Sequence, residues 1–168
     1  MAIPQIKKIL YATDLSKNSS YAFLYAIDVA KKNDARIIIL HAIEPIPPYV
    51  EAQATITEAF KKKQHEEIVE SMKRQLQGFC KKAEAEIGPP CVSLVSKILV
   101  PVGHPPEEIL NAANEEGCDV IVLGTHGKGF LAHTFLGSVS NAVLHRTRKP
   151  VFIIPLPSEK VSVDWDGI

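Results

Sequence analysis

The chain has 168 residues, 46% of them hydrophobic, which suits one domain with a full core. Its 19 basic and 19 acidic residues cancel, and only 7% of residues are aromatic, so the general case for nucleic-acid binding falls away. No apolar run approaches the roughly 18 residues of a membrane span, and the first residues lack a long apolar leader, so a water-soluble cytoplasmic protein is expected.

Apolar runs alternate with helical patterns along the chain. Ile6–Ala12 reads as a strand, Ser19–Lys32 as a helix with Phe23, Ala26, Ile27 and Ala30 on one face, and Arg36–Ile43 as a second strand. A proline-rich bend follows at Pro45–Pro48. Ile68, Met72, Leu76, Phe79, Ala83 and Ile87 then recur at helical spacing, which predicts a long amphipathic helix with a solvated charged face, ending at Gly88-Pro-Pro90. Val92–Val102 holds a third strand. Pro106–Glu116 is a short helix closed by Gly117, with Glu107 and Glu108 suited to its positive end. Asp119–Leu123 is a fourth strand, Val139–Arg146 a helix, and Val151–Ile154 a fifth strand. Cys80, Cys91 and Cys118 have neither CxxC nor Cys/His ligand spacing, so no disulfide framework and no zinc site are expected, and a reducing compartment is.

Strands rich in Val, Ile and Leu that alternate with helices predict a single-domain α/β fold. The expected architecture is an open parallel five-stranded sheet of order 3-2-1-4-5 with helices on both faces. The domain is expected over 1–157, with a polar tail at 158–168. In such a sheet the chain reverses its winding between strands 1 and 4, which leaves a crevice at their carboxyl ends.

Two features fall at that crevice. Asp14 follows the first strand. Gly124-Thr-His126-Gly127, then nine residues, then Gly137-Ser138-Val139-Ser140, follow the fourth. Glycines there let backbone approach a ligand with no Cβ in the way, and the N–H groups that open the next helix carry partial positive charge, so the segment reads as a phosphate cradle. Val120 through Ser158 contains no Asp or Glu. Its cations include Arg146, Arg148 and Lys149, which complement the negative end of the helix they follow, and Lys128, which is placed for phosphate.

Asp14 has two readings: it meets ribose hydroxyls or a divalent ion, or it caps the next helix, although Ser16 and Asn18 suit the cap better. His41 and Ala42, at the tip of the second strand, form a wall of the crevice, where backbone groups could read a base edge; a satisfied half-buried histidine is the alternative for His41. His126 and His133 lack the partners of a nucleophilic triad. A P-loop is excluded, since Gly127-Lys128 is followed by Gly129 and position 122 is Val. Gly127–Ala132 matches a relaxed dinucleotide fingerprint in the wrong place, not after the first strand.

Lys7-Lys-Ile-Leu-Tyr-Ala-Thr-Asp14, Ile39-Leu-His-Ala-Ile43, Asp119–Gly127, Gly137-Ser-Val139 and Lys149–Ile154 together closely resemble the universal stress protein family over nearly the whole chain. The G-x2-G-x9-G-[ST] spacing resembles its ATP-binding branch. The resemblance implies ATP, with magnesium or manganese, as cofactor and assigns Asp14 to the ribose or metal, Ala42 to the adenine, and Gly124, Gly127, Gly137, Ser138 and Val139 to the phosphates. Ala12 stands where relatives often carry proline, which loosens one wall of the adenine pocket. The full candidate set is Ala12, Asp14, His41, Ala42, Gly124, His126, Gly127, Lys128, Gly137, Ser138, Val139 and Ser140.

A homodimer through the Val151–Ile154 edge is implied as well. An uncovered apolar edge strand supplies a physical reason for it. The expected function is a nucleotide-responsive regulatory dimer in stress response. The alternatives are a slow ATPase or adenylate-transferring enzyme, and a nucleotide-free dimeric scaffold.

Overall fold

The computed structural model describes residues 3–88, 90–125 and 136–155. Chain order runs β1 (Lys8–Ala12), α1 (Lys17–Asn33), β2 (Arg36–Leu40), α2 (Pro48–Ala54), α3 (Glu58–Ile87), a 3-10 turn (Val92–Leu94), β3 (Val95–Leu99), α4 (Pro105–Glu115), β4 (Val120–Gly124), α5 (Ser138–Arg146) and β5 (Val151–Ile154). The five strands pair in the order β3-β2-β1-β4-β5, all parallel, as expected from the sequence.

Side chains alternate across a strand, so each central strand feeds two cores. Ile9, Tyr11, Ile37, Ile39, Val120 and Val122 point to one face, where Phe23 and Ile27 of α1 and Met72 and Phe79 of α3 cover them. Leu10, Ile38, Leu40, Ile121 and Leu123 point to the other, under Ile109 and Ala113 of α4 and Val143 of α5. Continuous Ile/Val/Leu runs follow from burial on both sides. Register is pinned at the amino ends of the strands, where Asp119 Oδ2 accepts the N–H groups of Lys7 at 2.8 Å and Lys8 at 2.9 Å.

Several expectations are corrected. The third strand is shorter than Val92–Val102: Val92–Leu94 winds as a 3-10 turn, and Pro101 lacks an N–H, leaving only an isolated Ile43–Val102 bridge beyond β3. The proline-rich bend continues into α2, a seven-residue helix with no buried side chain and therefore no apolar stripe to announce it. α3 begins at Glu58, capped by Thr57, well before its apolar stripe starts at Ile68. α1 opens at Lys17, two residues ahead of Ser19.

The cysteine reading is also overturned, since Cys80 and Cys91 form a disulfide with their Cα atoms 5.3 Å apart. Gly88, at φ 71°, stops α3 and turns the chain so that Cys91 returns beside the last turns of the helix. Lys31 Nζ donates to Gly88 O at 2.5 Å, and Cys91 N–H donates to Glu84 Oε1 at 2.8 Å, which fixes the reversal. Spacing could not show a pairing made by tertiary return of the chain. Among the described helices none is long and apolar enough to cross a membrane.

Candidate functional site

Continuing the β1–β4 register from the Tyr11–Val122 pair by two residues sets Thr13 level with Gly124, so the two segments singled out in the sequence leave the sheet side by side. Thr13 N–H donates to Leu40 O at 2.9 Å, one step past the end of β1, and the chain then turns away. Leu15 N–H returns to Thr13 Oγ1 at 3.0 Å with Leu15 at φ 63°, a left-handed conformation that leucine disfavours.

Ser16 caps α1, its hydroxyl accepting Ser19 N–H at 3.3 Å. Asp14 is therefore not the cap. It holds the cap, because its Oδ1 accepts both Ser16 N–H at 3.0 Å and Ser16 Oγ–H at 2.5 Å. Beneath the turn, Thr13 Oγ1 and Ser19 Oγ lie 2.8 Å apart, and Tyr11 OH donates to Ser19 O at 2.6 Å. Burial pushes the Tyr11 hydroxyl well above the usual phenol range, so it remains a donor.

At the tip of β2, His41 N–H and Ile43 N–H donate toward β3, to Leu99 O at 2.9 Å and Pro101 O at 2.8 Å. Backbone alternation therefore turns the N–H and C=O of Ala42 to the β1 side, where β1 has already departed. His41 Nδ1 lies 2.9 Å from Thr13 O, so its ring is a satisfied half-buried group, the alternative reading of that residue. Ala12 is buried in the second core beside Ala42.

On the β4 side, Gly124 pairs with Ile154 as the last residue of the strand. Gly137 N–H donates to Thr125 O at 2.5 Å and Ser140 Oγ donates to Gly124 O at 2.7 Å, which anchors the start of α5 to the tip of β4. The Ser140 hydroxyl proton is thus committed to the backbone, which leaves only the acceptor side of that oxygen open. Gly137 sits at φ −65°, which any residue adopts; what glycine supplies there is the missing side chain.

The start of α5 differs from every other described helix. Ser16 and Thr57 cap α1 and α3; α2 and α4 open on prolines with Glu51, Glu107 and Glu108 in their first turns. α5 has no side-chain cap, no proline and no acidic residue in its first turn, and Ser138 is exposed. Among the described residues, no cap or first-turn carboxylate offsets its partial positive charge. His126, Gly127 and Lys128, with His133, lie outside the described residues.

Arg146 stands in the last turn of α5, as expected, and the distal cations also reach other elements. Arg146 forms a two-pronged pair with Glu107 of α4 at 2.6 and 2.5 Å, which holds the Glu107 carboxyl below its ordinary range. Lys149 Nζ donates to Cys118 O at 2.6 Å. Sequence reasoning missed Thr13 and Ser19, whose buried hydroxyls build the turn under Asp14; small polar residues at a strand end give no periodic signal.

The sequence profile of the universal stress protein family matches residues 5–155. The chain belongs to this family. It is 34% identical over 148 residues to a universal stress protein of Thermus aquaticus, covering 88% of this chain and 98% of that one. It is 29% identical over 158 residues to universal stress protein MJ0577 of Methanocaldococcus jannaschii, covering 88% and 94%. The solved structure of MJ0577 superposes with a TM-score of 0.70 over 93% of this chain and 100% of that one. More distant family members share the fold and were solved with cAMP (TM-score 0.57, 23% identity) and, from Archaeoglobus fulgidus, with dAMP (TM-score 0.54, 18% identity).

Proposed function

We propose that this universal stress protein binds ATP at the carboxyl ends of β1, β2 and β4 and acts as a nucleotide-responsive regulatory homodimer. The observation that carries the reading is the uncapped start of α5, fastened to the tip of β4 and level with the turn that holds Asp14. Phosphates would take the N–H groups of Ser138, Val139 and Ser140, with Gly124, His126, Gly127 and Lys128 completing the cradle. The adenine edge would meet Ala42 N–H and C=O, whose donor and acceptor suit a base edge, with Ala12 and His41 as walls. Asp14 would accept ribose hydroxyls or share a magnesium or manganese ion with the phosphates, since a carboxylate is a suitable oxygen ligand for either ion. The ion would supply charge neutralisation between phosphates. Relatives solved with cAMP and dAMP make adenine the base to test first.

The dimer reading rests on the two edges of the sheet. β3 carries exposed Ser96 and Lys97, whereas β5 is Val-Phe-Ile-Ile with no charge. In the β4–β5 ladder Pro150 O and Ile154 O accept from β4, so alternation turns the N–H and C=O of Val151 and Ile153 outward. Pairing that edge with a second copy would satisfy those groups.

The deciding experiment is Gly137→Asp. An aspartate at this position supplies the missing cap, so the ligand-free protein should melt a degree or two higher, by about the few tenths of a kcal/mol that separate glycine from aspartate at an N-cap. The same carboxylate occupies the phosphate position, so ATP should no longer raise the melting temperature. Mass spectrometry of denatured wild-type protein should release an adenine nucleotide. An aspartate variant still stabilised by ATP would overturn the cradle.

A further inference from the structure

We infer that His41 is a positioning residue for Asp14, acting through the Thr13 carbonyl; the inference deepens the nucleotide-binding reading and rests on it. A carbonyl oxygen only accepts, so the 2.9 Å contact between His41 Nδ1 and Thr13 O requires the imidazole proton on Nδ1. The Thr13 carbonyl shares one planar peptide unit with the N–H of Asp14. Fixing the direction of that oxygen fixes the plane from which Asp14 departs. His41 is itself fixed from the other side, because its main-chain N–H donates to Leu99 O. The tip of β2 therefore reaches across to the tip of β1 through one side chain.

The turn that follows needs such a clamp. Leu15 holds a left-handed conformation, which persists only where surrounding contacts over-determine it. Thr13 is the junction of those contacts: its N–H binds Leu40 O, its carbonyl His41, and its hydroxyl both Leu15 N–H and Ser19 Oγ. Three of these bonds belong to the turn or to the β1–β2 ladder. The His41 bond is the one that ties the Thr13–Asp14 peptide to the second wall of the crevice, so the ribose or metal side and the base side of the site are held in one geometry. Without it the peptide loses its tie to the tip of β2, and the Asp14 carboxylate keeps its bonds to Ser16 but departs from a less restrained plane.

The test is a double-mutant cycle read by calorimetric titration of magnesium ATP into the full chain. His41→Ala should weaken binding by about tenfold, the loss of one hydrogen bond's worth of pre-organisation. In an Asp14→Ala background the same substitution should weaken it by less than about twofold, because there is no carboxylate left to position. His41→Asn should recover most of the affinity, since its amide N–H takes nearly the place of Nδ1–H. Independently of nucleotide, His41→Ala should speed amide hydrogen exchange at Leu15 and Ser16 by about tenfold while amides in α3 keep their protection. If His41→Ala does not fold, His41→Gln, whose amide lies one bond further out, replaces it. Additive effects of the two alanine variants, failure of His41→Asn to rescue, or unchanged exchange at Leu15 and Ser16 would each overturn the inference and leave the nucleotide site standing. Wild-type protein that binds no adenine nucleotide would remove both.

Discussion

Reducing the Cys80–Cys91 disulfide should cost this protein a calculable part of its stability. The bridge spans 11 residues of sequence, so in the chain-entropy description it removes roughly 9 cal/mol/K from the unfolded ensemble, or ~3 kcal/mol at 25 °C. Both sulfurs lie in fully buried residues, with Cys80 and Cys91 each 0% exposed. Two free thiols pack as small apolar groups, so reduction changes the cross-link far more than the core. For a chain of this length ~3 kcal/mol corresponds to a fall of about 6–12 °C in melting temperature. The assay is thermal unfolding of oxidised protein with and without a phosphine reductant, together with thiol titration in denaturant. One reactive thiol, that of Cys118, is expected before reduction and three after it. Three thiols in the unreduced protein, or a melting temperature that reduction leaves unmoved, would refute the reasoning.

Other consequences follow from the same geometry. Ile153→Pro removes an outward N–H from β5 without touching the β4 ladder, and should convert the dimer expected by light scattering to a monomer; an unchanged mass would place any self-association elsewhere. Tyr11→Phe removes the buried hydrogen bond to Ser19 O, which keeps its partner within α1, and should destabilise the fold by about 0.5–1.5 kcal/mol in denaturant titration. Burial pushes the Cys118 thiol up to about 11, above its unfolded value, so its contribution to stability is complete below about pH 9 and is lost as pH rises through about 11; Cys118→Ala should flatten that alkaline loss in a pH series of urea melts. Arg146→Ala breaks an exposed pair with Glu107 far along α5 from its start, and should leave ATP affinity within about twofold in the same calorimetric titration.

The order of elements was legible because each strand is a short Val/Ile/Leu run and each long helix carries an apolar stripe, and both signals come from burial, which composition reports directly. Right-handed crossovers then leave few ways to arrange five such strands, so the order 3-2-1-4-5, which sets β1 beside β4, followed from local pattern. α2 left no trace of itself, since Pro48–Ala54 buries nothing and so has no periodicity to read.

What tertiary structure alone decided are the contacts between residues far apart in sequence or joined by a chain reversal. Cys91 meets Cys80 because Gly88 turns the chain back, Arg146 at the end of α5 reaches Glu107 of α4, and the Ser140 hydroxyl donates to Gly124 O. Asp14 supports the α1 cap rather than forming it, and His41 meets Thr13 across two strand tips. Hydrophobic periodicity is a property of one segment and survives in the sequence. A hydrogen bond between segments depends on where both of them end, and the chain records that only once it is folded.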